Sequence, residues 1–285
     1  MNGLDLVEQE LQRSIWRNSY WAFFQAAWPY LSPDELQPNW HHELLCGKMQ
    51  KVAEGDIRRM IINCGTGTLK SSIIVEAFPA WVWTRNKAPL SGPQVRFLCM
   101  SHAPKLMDQH SLVCRELIES DWYQEWFGDR FKLTQKSIEH LRNNHLGHRR
   151  VSLATSLTGL DADICLFDDP HELMDGQDSD IKRERVIQAF NGSVERRVRN
   201  PNANAIVIGG ARTHPYDLPG TKMDNREMLE REGYEVVCLP DLYDPKHPFV
   251  CPEDPRKEKD EPLQPERESK EQILVRADRE GDFTF

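Results

Sequence analysis

The sequence predicts an α/β fold: a doubly wound, mostly parallel sheet carrying an N-terminal helical extension. Three observations predict it. First, short apolar runs (Met60-Ile61-Ile62, Phe97-Leu98-Cys99-Met100, Ile164-Cys165-Leu166-Phe167, Ala205-Ile206-Val207-Ile208) have the length and continuity of strands buried on both faces. Second, helical stretches alternate with them, as parallel crossovers require. Third, the runs end in Gly65 and Gly67, Asp168-Asp169-Pro170 and Gly209-Gly210. That places polar groups at the carboxyl ends of strands, where open α/β sheets bind ligands.

Taken in order, residues 1–36 read as helix. Trp16, Tyr20, Phe23, Phe24, Ala27 and Trp28 recur at spacings of three and four, giving one apolar face that packs on the main domain. Pro29, Pro33 and Pro38 break this helix, and a second is expected over about 42–54. Strand, loop and helix follow over 58–84, then a strand at 95–101, a helix over 104–120 and an aromatic segment at 122–127. Residues 129–147 are polar, a hairpin or a loop. Strands are expected at 151–155, 162–168, 203–213 and 235–239, with a helix rich in Arg and Glu over 180–198. Beyond Asp244 the composition shifts to Pro, Glu, Lys, Arg and Asp, which reads as a linker or extended tail. The division is therefore 1–36 helical segment, 37–243 main domain and 244–285 linker.

Composition narrows the function classes. The 285 residues are 39% hydrophobic and 28% charged, as in soluble globular proteins. No run approaches the roughly 20 apolar residues of a membrane span, so no membrane partner is expected. Met1 to Arg13 is too polar for a signal peptide. The formal net charge of −9 argues against a stand-alone protein that grips DNA by charge alone. Seven scattered cysteines without a C-x-x-C pair fit a reducing cytoplasm. His41-His42 has no companions at zinc-ligand spacing.

The stretch Arg58 to Ser72 organises the chain. It reads as a strand, a Gly/Thr turn (Gly65-Thr66-Gly67-Thr68-Leu69) and Lys70-Ser71-Ser72 opening a helix. Successive backbone N–H groups of such a loop can converge on an anion, and the helix dipole points at the same place. In the P-loop pattern G-x-x-x-x-G-K-[ST], the Lys reaches the β/γ-phosphates and the hydroxyl holds Mg²⁺. Those roles fall to Lys70 and Ser71, and ATP with Mg²⁺ is the expected ligand. The match is imperfect: Cys64 and Leu69 stand where the two glycines belong. Upstream, Gln37 can pair with the adenine edge and Trp40 can stack on the ring.

Asp168 and Asp169 close a second apolar strand. Asp168 suits Mg²⁺, held through water, and Asp169 suits activation of the attacking water. Arg212 and Thr213, after a third buried strand, stand where a γ-phosphate sensor would couple hydrolysis to motion. Each signal alone has a plain structural explanation: a glycine turn, a helix cap, a loop. Their order on one sheet favours a P-loop NTPase of the ASCE/RecA-like kind.

The ordered set resembles the N-terminal ATPase domain of the large terminase subunit of tailed bacteriophages. Gln37-Pro38-Asn39-Trp40-His41-His42-Glu43-Leu44 looks like its adenine-side segment. Gly67-Thr68-Leu69-Lys70-Ser71 is similar to its deviant Walker A loop, and Pro79-Ala80-Trp81 follows as in many relatives. Leu157 to Asp163 leads into Asp168-Asp169-Pro170-His171, its Walker B form. Ser179-Asp180, Arg183 and Arg212-Thr213-His214-Pro215-Tyr216-Asp217-Leu218 complete the set. The resemblance implies a motor that hydrolyses ATP to drive double-stranded DNA into a procapsid through the portal protein. It also implies a pentameric ring of identical subunits, a small terminase subunit as partner, and action in the host cytoplasm on the procapsid.

Three departures stand out. Gly65-Thr66 replaces a frequent Pro-Pro. Leu160 replaces an Arg that often serves as a trans-acting finger, leaving Arg142, Arg149 and Arg150 as weak substitutes. The family's C-terminal nuclease would begin where this sequence stops, so a fragment that does not cut DNA is expected. Two alternatives remain: a helicase-type P-loop ATPase, for which residues after 244 offer no second RecA-like domain, and a degenerate nucleotide-binding module without turnover.

Overall fold

The computed structural model describes residues 3–86, 88–153, 161–171, 180–194 and 203–280. The N-terminal helices are α1 (Gly3–Asn18) and α2 (Tyr20–Ala27), separated at Ser19, whose hydroxyl caps α2 by accepting the Ala22 N–H. Tyr20, Phe23, Phe24 and Ala27 are wholly buried, so the predicted apolar face does pack on the core. α3 (Trp40–Glu54) begins two residues before the expected start, because Asn39 and His42 form a reciprocal cap there; it ends at Gly55, whose φ of 86° suits a glycine.

The sheet strands are β1 (Arg59–Cys64), β2 (Arg96–Ser101), β3 (Leu133–Lys136), β4 (His140–Asn143), β5 (His148–Leu153), β6 (Ile164–Asp168), β7 (Ala205–Gly210) and β8 (Tyr234–Leu239). A π-helical stretch (Ser72–Ala77) runs into α4 (Phe78–Thr84) after β1. The other helices are α5 (Pro104–Glu119), α6 (Asp121–Phe127), α7 (Asp180–Ala189), α8 (Leu218–Met223), α9 (Arg226–Glu232) and α10 (Lys270–Glu280).

The eight strands lie in the order β3-β4-β5-β2-β6-β7-β1-β8. The ladder is parallel from β5 through β8, and the β3–β4 hairpin adds antiparallel strands at one edge. The polar stretch 129–147 is thus a hairpin. The β1 strand, which feeds the loop, is separated from the acid-tipped β6 by β7 alone, and since the three run parallel the loop and the acids open on one edge of the sheet.

Alternate strand residues point to opposite faces. Met60, Ile62, Phe97, Cys99, Leu166 and Val207 join a core with α2 to α6. Ile61, Leu98, Cys165, Phe167 and Ile208 join a second core with Leu218, Met223 and Leu229 from α8 and α9. Burial on both faces explains why these strands are nearly continuous apolar runs.

Two readings change. Arg149 is fully buried and donates to the Val75 carbonyl at 3.1 Å, so it does not present a finger to a neighbour. The stretch 244–280 is laid on the core rather than extended. Cys251, Leu263 and Ile273 are buried, and its charges are paired within the fold: Arg256 with Asp254, Arg276 with Asp241 and Glu268. The expected lead-in from Leu157 to Leu160, Ser179, and residues 195–198 of the expected helix lie outside the described residues.

Candidate functional site

The loop at the tip of β1 is built by its own hydroxyl and by two left-handed residues. Thr68 Oγ1 donates to the Gly65 carbonyl at 2.8 Å and lies 3.1 Å from Cys64 Sγ, closing the turn. Gly67 has φ 74° and Leu69 φ 58°. Leu69, the residue in place of a glycine, therefore adopts the backbone that glycine would supply, at a cost of about 1 kcal/mol. Its carbonyl accepts the Ile73 N–H at 3.0 Å, which starts the helix. Thr66 and Gly67 are exposed, and Ser71 and Ser72 are half-buried in the first helical turn.

Lys70 is 5% exposed. Burial alone would lower its pKa, but Asp169, Cys64 and Asp168 outweigh it and the net shift is upward. Its Nζ lies 3.6 Å from Asp169 Oδ2.

Asp168 is the last residue of β6, in register with Gly209 of β7, and is wholly buried. Its pKa rises to about 6, first through burial and then through Asp169, against His110, Lys70 and the neighbouring Ser71 hydroxyl. Neither of its carboxylate oxygens completes a hydrogen bond with the described residues. Asp169 leaves the strand with φ 44°. Its N–H donates to the Gly209 carbonyl at 2.9 Å, its carbonyl accepts from Ser101 Oγ at 3.2 Å, and its Oδ1 accepts the Ala211 N–H at 3.2 Å. Three held groups fix a backbone that Asp tolerates better than most residues.

The donor set fits Mg²⁺. A buried carboxylate with open acceptor positions, beside a serine hydroxyl, suits a hard cation whose shell water and phosphate would complete. Among the described residues no three His, Cys, Asp or Glu gather into a cage able to hold a metal ion by themselves.

Of the other expected residues, Gln37 is exposed, and Trp40 is half-buried against the core with the Arg256 guanidinium 5.9 Å from its ring. The neighbouring His41 is wholly buried, its Nδ1 2.9 Å from Asn39 Oδ1. Arg212 donates Nε to Asp217 at 2.9 Å and Nη2 to the His214 and Pro215 carbonyls, each at 3.1 Å. Thr213 is buried, its Oγ1 without a hydrogen-bond partner among the described residues.

Sequence reasoning missed four residues. Arg267 donates to the Thr66 carbonyl at 2.8 Å and lies over Gly67, where an added Cβ would meet its guanidinium at 2.0 Å. Asp241 occupies the space beside Gly65 in the same way, at 2.2 Å. Nothing in the charge-rich tail marks Arg267. Glu76 carried a readable signal, the one charged residue of an apolar run; His110 shares the buried face of α5 with Ser111 and stands out less.

No known protein-family profile matches the sequence, and no curated protein sequence matches it. Among solved structures the chain is similar to the large terminase of bacteriophage HK97, at 10% identity and a TM-score of 0.48, over 74% of this chain and 41% of that one. It is similar to the large terminase of a thermophilic bacteriophage, at 9% identity and 0.43, over 68% and 45%. It is also similar to Dbp5 of S. cerevisiae, in a structure with Nup159, Gle1, IP6 and ADP, at 13% identity and 0.39, over 72% and 49%. The chain thus spans less than half the length of each. Similarity at this level says nothing by itself of activity. No helix among the described residues is long and apolar enough to cross a membrane.

Proposed function

We propose that this chain is an ATPase and, more specifically, the motor domain of a phage large terminase subunit. The observation that carries the ATPase reading is the convergence of Lys70, Asp168 and Asp169 at the tips of β1 and β6. One cation, one buried carboxylate with open acceptor positions and one half-exposed carboxylate meet beside a loop whose N–H groups can cradle phosphate.

In this reading the N–H groups of 65–72 and the Lys70 ammonium bind the β- and γ-phosphates. Asp168, through water, and Ser71 hold Mg²⁺, which supplies charge neutralisation on the phosphate oxygens. Asp169 takes a proton from the attacking water as the new O–P bond forms, and the bridging oxygen leaves with ADP. Phosphoryl transfer asks little more than positioning and charge. Gln37 and Trp40 serve the adenine, and Arg212 and Thr213 serve coupling. With Arg212 tied to Asp217, the coupling signal is a movement of the 212–217 turn as a unit.

The terminase role rests on the ordered motif set from Gln37 to Leu218. It brings double-stranded DNA, the portal protein, a small terminase subunit and a pentameric ring as partners, in the host cytoplasm on the procapsid. The test is Mg²⁺-dependent phosphate release, with and without procapsids bearing the portal and with linear double-stranded DNA. Release stimulated by procapsid and DNA together supports the motor. Release stimulated equally by single-stranded RNA or DNA favours the helicase-type alternative, and none under any condition favours a module without turnover.

A further inference from the structure

Behind the loop, three ionisable side chains from separate elements meet in the core. Glu76 is the one charged residue of the run Ile73-Ile74-Val75-Glu76-Ala77-Phe78, and it falls within the π-helical stretch. Wide turns of this kind recur at functional sites because they re-aim a side chain. This one is held from outside: the Tyr20 hydroxyl donates to the Ile73 carbonyl and Arg149 to that of Val75. His110 lies on the buried face of α5 with Met107 and Cys114.

The His110 ring joins two carboxylates. Its Nδ1 is 2.6 Å from Glu76 Oε1, and its Nε2 is 3.5 Å from Asp168 Oδ2. A carboxylate at that distance accepts, so Nδ1–H donates to Glu76 and the ring orientation is fixed. Nε2 stands 3.5 Å from Oδ2 of a buried acid, and neither atom completes a hydrogen bond with the described residues, so the contact is electrostatic: it attracts the carboxylate when the ring, set between two carboxylates, carries its second proton. Nothing in the loop chemistry requires this arrangement. A buried Asp at the end of β6 could have been backed by apolar side chains, which would leave its carboxylate free to turn.

We infer that His110, buttressed by Glu76, is a positioning residue for Asp168. It holds the Oδ2 edge from behind and so sets the carboxylate plane presented to the metal side of the site. The inference rests on the ATPase reading above. Groups that orient a metal-binding carboxylate in this way typically change metal affinity about 10–100-fold when removed.

The experiment is calorimetric titration of ATP into the chain, once with EDTA and once across a Mg²⁺ series. His110→Asn keeps a donor for Glu76 but falls short of Asp168; His110→Gln carries an amide N–H out to the Nε2 position. The expected result is that His110→Asn leaves ATP affinity in EDTA unchanged while the Mg²⁺ needed for half-maximal effect rises about 10–100-fold. His110→Gln restores the requirement to within about threefold. Glu76→Gln, nearly isosteric and safe for folding, raises it by about tenfold and serves if His110→Asn does not fold. An unchanged Mg²⁺ requirement in His110→Asn and Glu76→Gln, with the unmutated chain binding Mg·ATP, overturns the inference alone. No ATP binding by the unmutated chain overturns the ATPase reading and this inference with it.

Discussion

The ammonium of Lys70 lies 3.6 Å from Oδ2 of Asp169, so the residue proposed to bind phosphate is neutralised by the residue proposed to activate water. In the proposed reaction an incoming phosphate would take over Lys70 and release Asp169 for the water. Lys70→Ala is expected to lower phosphate release by at least roughly 10²–10³-fold, since it removes the phosphate contact in the bound state as well as an electrostatic donor to the transition state. Asp169→Asn, which suits the left-handed backbone there, is expected to lower it roughly 10²–10⁴-fold while leaving ATP binding intact. Equal loss of binding in both variants would contradict these separate roles.

Leu69 supplies a second prediction. Its φ of 58° penalises any side chain. Leu69→Ala and Leu69→Gly lose the same packing against the core, but only glycine relieves the backbone. The glycine variant should be the more stable of the two by about 1 kcal/mol in urea denaturation. A more stable alanine variant would show that the loop is not left-handed at this position in solution.

The cover of Asp241 over Gly65 supplies a third. A methyl group at residue 65 must displace the Asp241 carboxylate, which Arg276 holds at 2.8 Å. Gly65→Ala should cost about 1–3 kcal/mol by overpacking. Adding Asp241→Ala should recover most of it. Strict additivity in that double-mutant cycle would mean the two residues do not touch.

These sites mark what the sequence could and could not convey. β1, β2, β6 and β7 were legible because a strand buried on both faces must be apolar throughout, and β8, an edge strand half-exposed over Tyr234 to Val236, from its closing run Val236-Val237-Cys238-Leu239. Asp168 and Asp169 were legible as a candidate pair only in combination, because they close a buried strand in sequence order with the Lys70 loop and the turn after β7. The order β8-β1-β7-β6-β2 was not legible, since it depends on which crossover helix covers which face. Nor was the packing of 244–280. Composition counts Arg256, Asp254, Arg276 and Glu268 as solvated charges, and only the folded chain shows that they neutralise one another. Leu69 lies between these cases: the spacing flagged it as a glycine's place, and the backbone there is indeed a glycine's.

Acid should unfold this protein early. Burial is the main cause that holds His41 at about 3 and His42, His148 and His171 at about 4. Unfolding returns each to about 6.5. Between pH 6.5 and 4 the unfolded chain therefore binds more protons, and stability falls as pH falls through that window. Asp168, raised to about 6 by burial and Asp169, works the other way and offsets about one histidine. The net uptake exceeds one proton near pH 5, so stability falls by more than about 1 kcal/mol per pH unit there. A urea midpoint that is flat from pH 6.5 to 5 would contradict the buried, neutral histidines.

The most direct test of the central claim is ATP binding by the unmutated chain, Lys70→Ala and Asp168→Ala, each with and without Mg²⁺. Saturable binding strengthened by Mg²⁺ is expected in the unmutated chain, with binding abolished by Lys70→Ala and made indifferent to Mg²⁺ by Asp168→Ala. No binding by the unmutated chain at millimolar ATP, or binding that Lys70→Ala leaves untouched, would contradict it.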